Sequence, residues 1–553
     1  METNQGVKFN RGGGRHPLVV GATLGAMLLA AAPAFAVAAS LLTPFGDVIR
    51  HVMETRGAAY ASGTLALCLS VGLIAGAAGV AAALLTALCD FPLRRFFSFA
   101  LALPLATPAY IAAYAYADLL GPFGALAPLA RAAGFIGLPD IRSGVGAVFV
   151  LSMTLYPYAY LSARAAFASR SASIIETART LGVSPLNAAI GLLIPATRPA
   201  IAGGVALIMM ETAAEFGVAD YFGIPTLSVG IFRTWHSFGD LGAASQLASA
   251  LFLIALLLVG LEAFGRRGRT ADAPRTASNP IRYSLSGLHG AGAVAFCSLL
   301  LVFGFAAPVA ALAAKLDTSI WGYAGRGLAA AFGNSLSIAA AGTFITLSAA
   351  IFLSYVARSE RAPATRIMIR VATLGYAIPG AVIAVGVLAV FSFLSAVTGA
   401  KMWLLAGPAA LLYAYAVRFI TAGYNTTSGG LAQIDSGLDA AARTLGASGR
   451  DILARVHAPL LRRSIFAAAI IIAVDIVKEL PATLILRDFN FETLATRVYR
   501  LAGDERLSEA APDALILIAL GAVPVFLLYA FAERAPRDQG SLARTAASTQ
   551  SQM

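Results

Sequence analysis

The feature that most constrains this chain is a series of long apolar runs that recurs along all 553 residues. Each run is close to the roughly 20 residues that a helix needs to cross the hydrocarbon core of a bilayer. Hydrophobic residues make up 58% of the chain and charged residues 12%, whereas soluble domains carry about 25% charged residues. The sequence therefore predicts an all-α polytopic membrane protein.

Charges and turn residues divide the apolar runs into twelve predicted transmembrane helices. A polar, basic segment at residues 265–288 lies near the middle of the chain. We expect a first transmembrane half at 1–264, a linker at 265–288, a second half at 289–537 and a disordered cytoplasmic tail at 538–553. The predicted spans are 17–41, 60–89, 96–120, 144–168, 200–222, 242–264, 289–314, 334–358, 368–396, 403–423, 464–486 and 511–532.

The distribution of basic residues predicts the orientation. With the N-terminus inside, the cytoplasmic segments contain 26 Lys and Arg residues and the outer segments contain 12. The positive-inside rule then places both termini in the cytoplasm. The net charge of +12 is spread in short clusters between apolar runs, without an aromatic-studded basic face, so a nucleic-acid partner is not expected.

The first apolar run also matches the pattern of a secretory signal peptide. Residues 18–32 are apolar, and the small-residue sequence Ala34-Phe35-Ala36 follows them. The apolar run continues to Leu42, which makes it long enough to span the bilayer. We therefore expect a retained helix, and cleavage would leave the orientation of the other spans unchanged.

The two halves contain an internal repeat. Residues 174–203 and 438–468 share polar as well as apolar positions. Because the halves have the same predicted orientation, the two units should pack about a pseudo-twofold axis along the membrane normal. A shift of 264 residues pairs Arg179 with Arg443, Leu181 with Leu445, Gly182 with Gly446, Ser184 with Ser448, Pro195 with Pro459, Arg198 with Arg462, Glu211 with Asp475 and Glu215 with Glu479.

The repeated segment has a helix–turn–helix pattern. Residues 172–181 predict a short helix with Ser173 as its N-cap. Gly182 then permits a sharp turn, and Ser184 caps a second helix that is predicted to end at Ile194. The counterparts in the second half are Gly446, Ser448 and a helix at 449–457.

The sequences ETARTLGVS and IPATRP, and their counterparts DAAARTLGAS and APLLRR, resemble the EAA-type cytoplasmic loop of ABC importer permeases. The resemblance implies a fused double permease of the type I kind, whose two coupling loops contact two copies of an ATP-binding subunit. The second copy departs from the motif, since Ala440 stands where Glu176 stands and Arg463 replaces Pro199. The residues implied for coupling are Glu176, Arg179, Gly182, Ser184, Pro195, Asp439, Arg443, Gly446, Ser448 and Pro459.

The chain contains no G-x-x-x-x-G-K-[ST] phosphate loop. ATP must therefore be bound and hydrolysed by a separate subunit, and we expect neither a cofactor nor a catalytic residue in this chain. The three cysteines and five histidines are scattered, so the sequence predicts no metal site and gives no support to a membrane-embedded enzyme.

Charged residues fall inside the fifth and eleventh predicted spans, where unpaired charges are costly and often mark a pathway. Positions i and i+4 share a helix face, so Glu211 should lie beside Glu215, and Asp475 beside Glu479. We predict that these acids line the translocation path. The alternative is a structural ion pair between Lys478 and a nearby acid, and the two roles are compatible. The candidate path residues are Glu211, Glu215, Asp475, Lys478 and Glu479.

The segments METAAEFGVADYF and VKELPATLILRDFNFETLATRVYRLAGDERLSEAA resemble ferric-iron permeases within the ABC importers. This resemblance implies import of iron(III) handed over by a periplasmic binding protein. One alternative is a permease for thiamine or another small organic cation, which aromatic side chains bind through cation–π contacts. The tyrosines that support this alternative are Tyr110, Tyr114, Tyr116, Tyr413 and Tyr415. A secondary transporter driven by an ion gradient is a second alternative, which would need no paired coupling loops.

Overall fold

The computed structural model describes residues 17–122, 124–134, 140–266, 282–316, 321–360, 362–399, 407–448 and 451–533. Over these residues the protein is a bundle of helices, which confirms the all-α prediction. A two-residue parallel strand pair joins β1 (Cys89–Asp90) to β2 (Tyr283–Ser284). The predicted linker is thus attached, just before the second half begins, to the end of a first-half helix.

The described part of the first half contains twelve α-helices. Short 3₁₀ or π segments lie at Ser40–Leu42, Met53–Gly57, Leu103–Ala106 and Ala189–Leu193. The α-helices are α1 (Pro17–Ala39), α2 (Asp47–Val52), α3 (Ala58–Leu88), α4 (Arg94–Ala100), α5 (Ala109–Leu119), α6 (Ala127–Ala132), α7 (Gly144–Thr180), α8 (Pro185–Ala188), α9 (Ile194–Ala214), α10 (Gly217–Tyr221), α11 (Leu227–Phe238) and α12 (Leu241–Arg266).

The described part of the second half contains eleven α-helices. Short 3₁₀ or π segments lie at Val302–Ala306, Gly375–Ala377 and Ile452–His457. The α-helices are α13 (Gly287–Leu301), α14 (Ala307–Ala313), α15 (Trp321–Ser359), α16 (Pro363–Ala372), α17 (Gly380–Thr398), α18 (Pro408–Ala432), α19 (Ser436–Thr444), α20 (Ala458–Lys478), α21 (Pro481–Leu486), α22 (Leu494–Gly503) and α23 (Leu507–Glu533).

Nine helical segments of the described chain are long and apolar enough to cross a membrane, or ten if α4 and α5, which meet at 91°, form one broken span. The predicted count of twelve stays a prediction. The two spans outside this set correspond to α18 and α20, whose polar and charged side chains lower their hydropathy. These charged side chains include Arg418 in α18 and Asp475 and Lys478 in α20.

Four spans predicted as continuous helices are broken in the structure. The spans at 96–120 and 368–396 are interrupted before α5 and α17, where Pro108 and Pro379 adopt ψ values of 135° and 142°. Proline lacks the backbone N–H that would continue a helix. The spans at 200–222 and 464–486 are broken just after α9 and α20.

The internal repeat is confirmed by the helix boundaries. Helices α9 and α20 begin and end at positions related by the same 264-residue shift. The earlier helices follow a longer shift of 271 residues, because α3 ends at Leu88 and α15 at Ser359, and Pro108 corresponds to Pro379. The second half is therefore seven residues shorter than the first between the start of α17 and the start of α18, which correspond to the starts of α5 and α7.

Each half contributes a helix to the other. Helix α1 packs against α16 and α17, and the Tyr413 hydroxyl donates to the Leu29 carbonyl at 2.6 Å. In the opposite direction, the Tyr116 hydroxyl donates to the Phe303 carbonyl, between α13 and α14. These reciprocal contacts are what a pseudo-twofold arrangement of two repeats requires.

Candidate functional site

A cavity of about 160 Å³ lies between the halves, where α9 and α20 end. The structure brings all five predicted path residues together on its wall: Glu211, Glu215, Asp475, Lys478 and Glu479. Sequence analysis missed other polar lining residues, among them Tyr158, Tyr376 and Arg418. Arg418 was recognisable as a charge within a span, whereas the tyrosines had no feature that separated them from ordinary packing residues.

The two helix breaks place the glutamates. Glu215 and Glu479 are the first residues after α9 and α20, with nearly identical extended backbones at φ −67°, ψ 123° and φ −67°, ψ 120°. The prediction that each shares a helix face with the acid four residues earlier is therefore wrong. Each carboxylate instead accepts a backbone N–H at the start of the next short helix, from Val218 at 3.0 Å and from Ala482 at 3.1 Å. A negative charge is favourable at such a helix N-terminus.

The ion pair in the cavity is made by a different cation from the one predicted. The Arg418 Nε lies 3.3 Å from Glu479 Oε2, and the two side chains are 12% and 5% exposed. Lys478 donates to the Leu105 carbonyl at 3.2 Å, and no described carboxylate lies within 4 Å of its ammonium. A β-carbon at Gly380 would lie 2.3 Å from Arg418 Nη1, so glycine makes room for the pair.

Tyrosine hydroxyls complete the polar wall. The Tyr376 hydroxyl is hydrogen-bonded to Glu211 and to Tyr158, so that a phenol of the second half meets an acid and a phenol of the first half. Across the described residues, no three carboxylate, histidine or cysteine side chains converge on one point as the ligands of a metal ion do. The site is thus a wall of oxygen donors with two tethered cations.

The cavity opens toward one end of the bundle. A larger cavity of about 770 Å³ shares Tyr376 and Asp475 with it. Its other lining residues include Ser162, Pro199 and Asn425, each of which lies nearer the repeated loops than the acidic cavity does. The structure is therefore accessible from the end that carries the loops.

The opposite end is closed by contacts between the halves. The Tyr499 hydroxyl donates to Asp220 at 2.6 Å, and its ring packs against Phe216 at 5.6 Å. Arg142 lies 3.6 Å from Glu505. Each of these contacts joins a first-half residue to a second-half residue, so the far end opens only if the halves separate there.

The predicted turns of the two coupling loops are confirmed. Gly182 and Gly446 adopt φ values of +70° and +82°, which L-residues with a side chain rarely adopt. Ser184 accepts the Asn187 N–H at 3.4 Å. The Ser448 hydroxyl is 2.6 Å from Asp451, whose carboxylate also accepts the Ser448 N–H at 3.1 Å.

The helix that follows each turn was predicted to end before the proline, at Ile194 in the first copy and at residue 457 in the second. In the structure the helical backbone continues through Pro195 and Pro459. Wider π turns at Ala189–Leu193 and Ile452–His457 carry the backbone directly into α9 and α20. These turns shift the hydrogen-bond pattern by one residue, so that a proline without an N–H is accommodated. Each coupling loop is consequently continuous with a helix that ends at the acidic cavity.

The helix before the turn differs between the copies. Helix α7 is unbroken from Gly144 to Thr180, so the predicted cap at Ser173 is wrong in the first copy. The side chains of Glu176 and Arg179 lie outside the described part of the chain. In the second copy a separate helix, α19, begins after Asp435, whose carboxylate accepts the Gly437 N–H at 2.8 Å.

Asp439 faces the membrane helices instead of the loop surface. Its carboxylate lies 3.0 Å from Arg358 at the end of α15 and 2.7 Å from His457 Nε2, and the residue is 9% exposed. Burial alone would raise the pKa of Asp439, but the hydrogen bonds from His457 and Arg358 outweigh it and hold that pKa below its usual value. Arg443, one turn further on, is exposed.

Two repeated helical halves around a charged cavity, with one loop per half at the open end, define a polytopic membrane permease. Residues 342–538 match the family described as the binding-protein-dependent transport system inner membrane component. The second half of the chain therefore matches a transport permease domain, and the first half contains the other copy of the internal repeat.

Three relatives are similar to this chain over most of its length. The chain is 26% identical over 484 residues to the Fe(3+)-transport system permease protein FbpB 2 of Haemophilus influenzae, covering 84% of this chain and 88% of that protein. It is 26% identical over 434 residues to a probable ABC transporter permease, y4fN, of Sinorhizobium fredii, covering 73% and 74%. A putative ferric transport system permease, FbpB 1 of Haemophilus influenzae, is 21% identical over 424 residues, covering 72% and 65%.

Proposed function

We propose that this chain is the inner-membrane permease of an ATP-driven importer of iron(III). A periplasmic binding protein delivers the ion, two copies of a separate ATP-binding subunit hydrolyse ATP, and the permease alternates between outward and inward access with both termini in the cytoplasm. The observation that carries the proposal is the wall of carboxylates and phenols at the ends of the two helices that continue from the coupling loops.

The chemistry of the cavity favours a hard cation. Iron(III) prefers oxygen ligands, and the wall supplies four carboxylates, Glu211, Glu215, Asp475 and Glu479, against two cations, Arg418 and Lys478. The formal surplus of negative charge attracts a cation in a site of low dielectric. Two of the relatives described above carry ferric transport in their names, and that similarity supports the same substrate.

The helical connection supplies a route for coupling. Helices α9 and α20 are each 21 residues long, which corresponds to about 30 Å. Each begins at a coupling loop and ends beside a glutamate of the cavity. When ATP binding draws the ATPase subunits together, a displacement of the loops moves these two helices as rigid bodies and changes the distance between the acids of the two halves.

The direct test is transport by proteoliposomes that contain this chain, the ATPase subunit and the binding protein. We expect iron uptake that requires internal ATP and iron-loaded binding protein. Uptake with an ion gradient and no ATPase would instead identify a secondary transporter. ATP-dependent uptake of thiamine without iron uptake would identify a permease for an organic cation.

The organic-cation alternative has one structural observation in its favour. Tyr110 lines the acidic cavity together with Tyr158 and Tyr376. The other tyrosines considered for it are absent from the described lining: Tyr114, Tyr116, Tyr413 and Tyr415. Phenols that hydrogen-bond a carboxylate, as Tyr376 does, are suited to an oxygen-donor wall more than to an aromatic box.

A further inference from the structure

The acidic residues of the cavity occupy positions related by the internal repeat, but its basic residues do not. Glu211 corresponds to Asp475 and Glu215 to Glu479. The position that corresponds to Arg418 is Thr154, and the one that corresponds to Lys478 is Ala214. Both of these uncharged residues line the same cavity. All of the positive charge therefore comes from the second half, although the negative charge comes equally from both.

This asymmetry gives the two glutamates different surroundings. Glu479 is paired with Arg418 at 3.3 Å. Glu215 has no Lys, Arg or His within 4 Å in the described part of the protein, and its carboxylate is held by the Val218 N–H. Arg418 also has a buried Nη1 without a hydrogen-bond partner among the described residues. Its guanidinium thus keeps one buried N–H group that Glu479 does not satisfy.

We propose that Glu215 is the carboxylate that accepts the cargo cation, and that Arg418 is a tethered counter-ion that expels this cation in the inward-accessible state. The inference rests on the proposed transport of a cation through the cavity. An arginine suits the role because its guanidinium stays protonated under all physiological conditions. Its charge therefore neither dissociates nor leaves with the cargo.

The geometry explains the direction of release. With the far end held by Asp220, Tyr499, Arg142 and Glu505, a cation in the acidic cavity leaves toward the 770 Å³ cavity on the coupling-loop side. Repulsion between Arg418 and the cargo lowers the affinity of the cavity in this state. Lys478 is held at the Leu105 carbonyl and adds to the same positive field.

The experiment uses the whole complex in lipid nanodiscs without nucleotide, with terbium(III) as a luminescent probe for a hard trivalent cation. We expect Glu215→Gln to weaken terbium binding about tenfold, the ratio that about 1.4 kcal/mol produces. Arg418→Gln should strengthen binding by a similar factor and slow dissociation of the probe. Arg418→Lys keeps the charge and should bind much as the wild type does.

A double variant tests whether Arg418 acts as a tethered counter-ion or only forms a structural ion pair with Glu479. Arg418→Gln combined with Glu479→Gln leaves the formal charge of the cavity unchanged and removes both partners of the ion pair together, so it should assemble even if Arg418→Gln alone does not. We expect it to bind terbium more tightly than the wild type. Binding at the wild-type level in both Arg418→Gln variants, with Glu215→Gln still weakened, would overturn this inference alone. Terbium binding that does not depend on Glu215 at all would overturn the acidic path itself.

Discussion

The two coupling loops carry the same motif but hold it in place differently. In the first half, the 37-residue helix α7 runs unbroken into the loop. In the second half the chain breaks after α18, and Asp439 in α19 is held by Arg358 and His457. The residues that correspond to Arg358 and His457 are Ala87 and Leu193, and Leu193 is fully buried. The first loop is thus positioned by a long helix and apolar packing. The second loop is positioned by a charge clamp that consists of Asp439, Arg358 and His457.

The local sequences explain the difference. The end of α18 contains Gly429-Gly430 and is followed by Asp435, residues that favour helix ends. The corresponding stretch of α7, at 165–171, is rich in alanine, which favours an uninterrupted helix. Two repeats can therefore preserve a functional turn while the support behind it changes.

The largest effect is expected at the turns that the two loops share. Gly182→Leu and Gly446→Leu place a side chain at a positive φ, where the strain costs about 1–2 kcal/mol and misdirects the following helix. We expect normal membrane insertion but loss of the ATPase subunit on purification, and loss of transport in the double variant. Gly429→Leu is the control, because Gly429 is helical and a β-carbon there meets nothing within 4 Å. Wild-type uptake in the double variant would remove the coupling role.

Breaking the charge clamp should affect the second loop alone. Asp439→Asn leaves Arg358 without its carboxylate, and breaking a buried ion pair costs about 3 kcal/mol. We expect faster amide hydrogen exchange throughout α19 and unchanged exchange in α7. Asp435→Asn, which changes an exposed cap on the same helix, should cost less than about 1 kcal/mol. Equal exchange in the two variants would show that the clamp does not hold the loop.

The same clamp predicts a pH dependence. Because the pKa of Asp439 in the folded protein is lowered, its contribution to stability is complete above the unfolded pKa of about 3.9 and is lost as the pH falls through the folded pKa. Hydrogen exchange of α19, corrected for the intrinsic rate, should therefore be constant between about pH 8 and 5. An acid-induced loosening near pH 6 that Asp439→Asn abolishes would contradict this assignment.

The smallest effect is expected at the two N-caps. Ser448→Ala removes a hydroxyl that bonds Asp451 at 2.6 Å and should cost about 1 kcal/mol. Ser184→Ala removes a longer bond of 3.4 Å and should cost less. The measurement is the difference in thermal unfolding between each variant and the wild type. A larger loss for Ser184→Ala would reverse the comparison.

Sequence predicted the parts of this protein that depend on local chemistry. Apolar length predicted the membrane helices, the two glycines predicted the turns, and polar identities at one offset predicted the repeat and the grouping of the acids. The helix breaks at Glu215 and Glu479 were not predictable, because each depends on a carboxylate reaching the N–H of a short helix that exists only in the folded bundle. The pairing of Arg418 with Glu479 was missed for the same reason, since those residues are 61 positions apart.

The most direct test of the account compares Glu215→Gln with Glu479→Gln by iron uptake per assembled complex. Both changes remove a charge and keep the volume of the side chain. Glu215 has no cation within 4 Å among the described residues, so Glu215→Gln should not reduce abundance. It should lower uptake per complex about tenfold, because a charged contact is worth about 1.5–3 kcal/mol. Glu479→Gln leaves Arg418 without its ion-pair partner and should therefore also lower the amount of assembled complex. Full uptake per complex in both variants, with only abundance reduced, would show that the acids are structural and that the cargo takes another route.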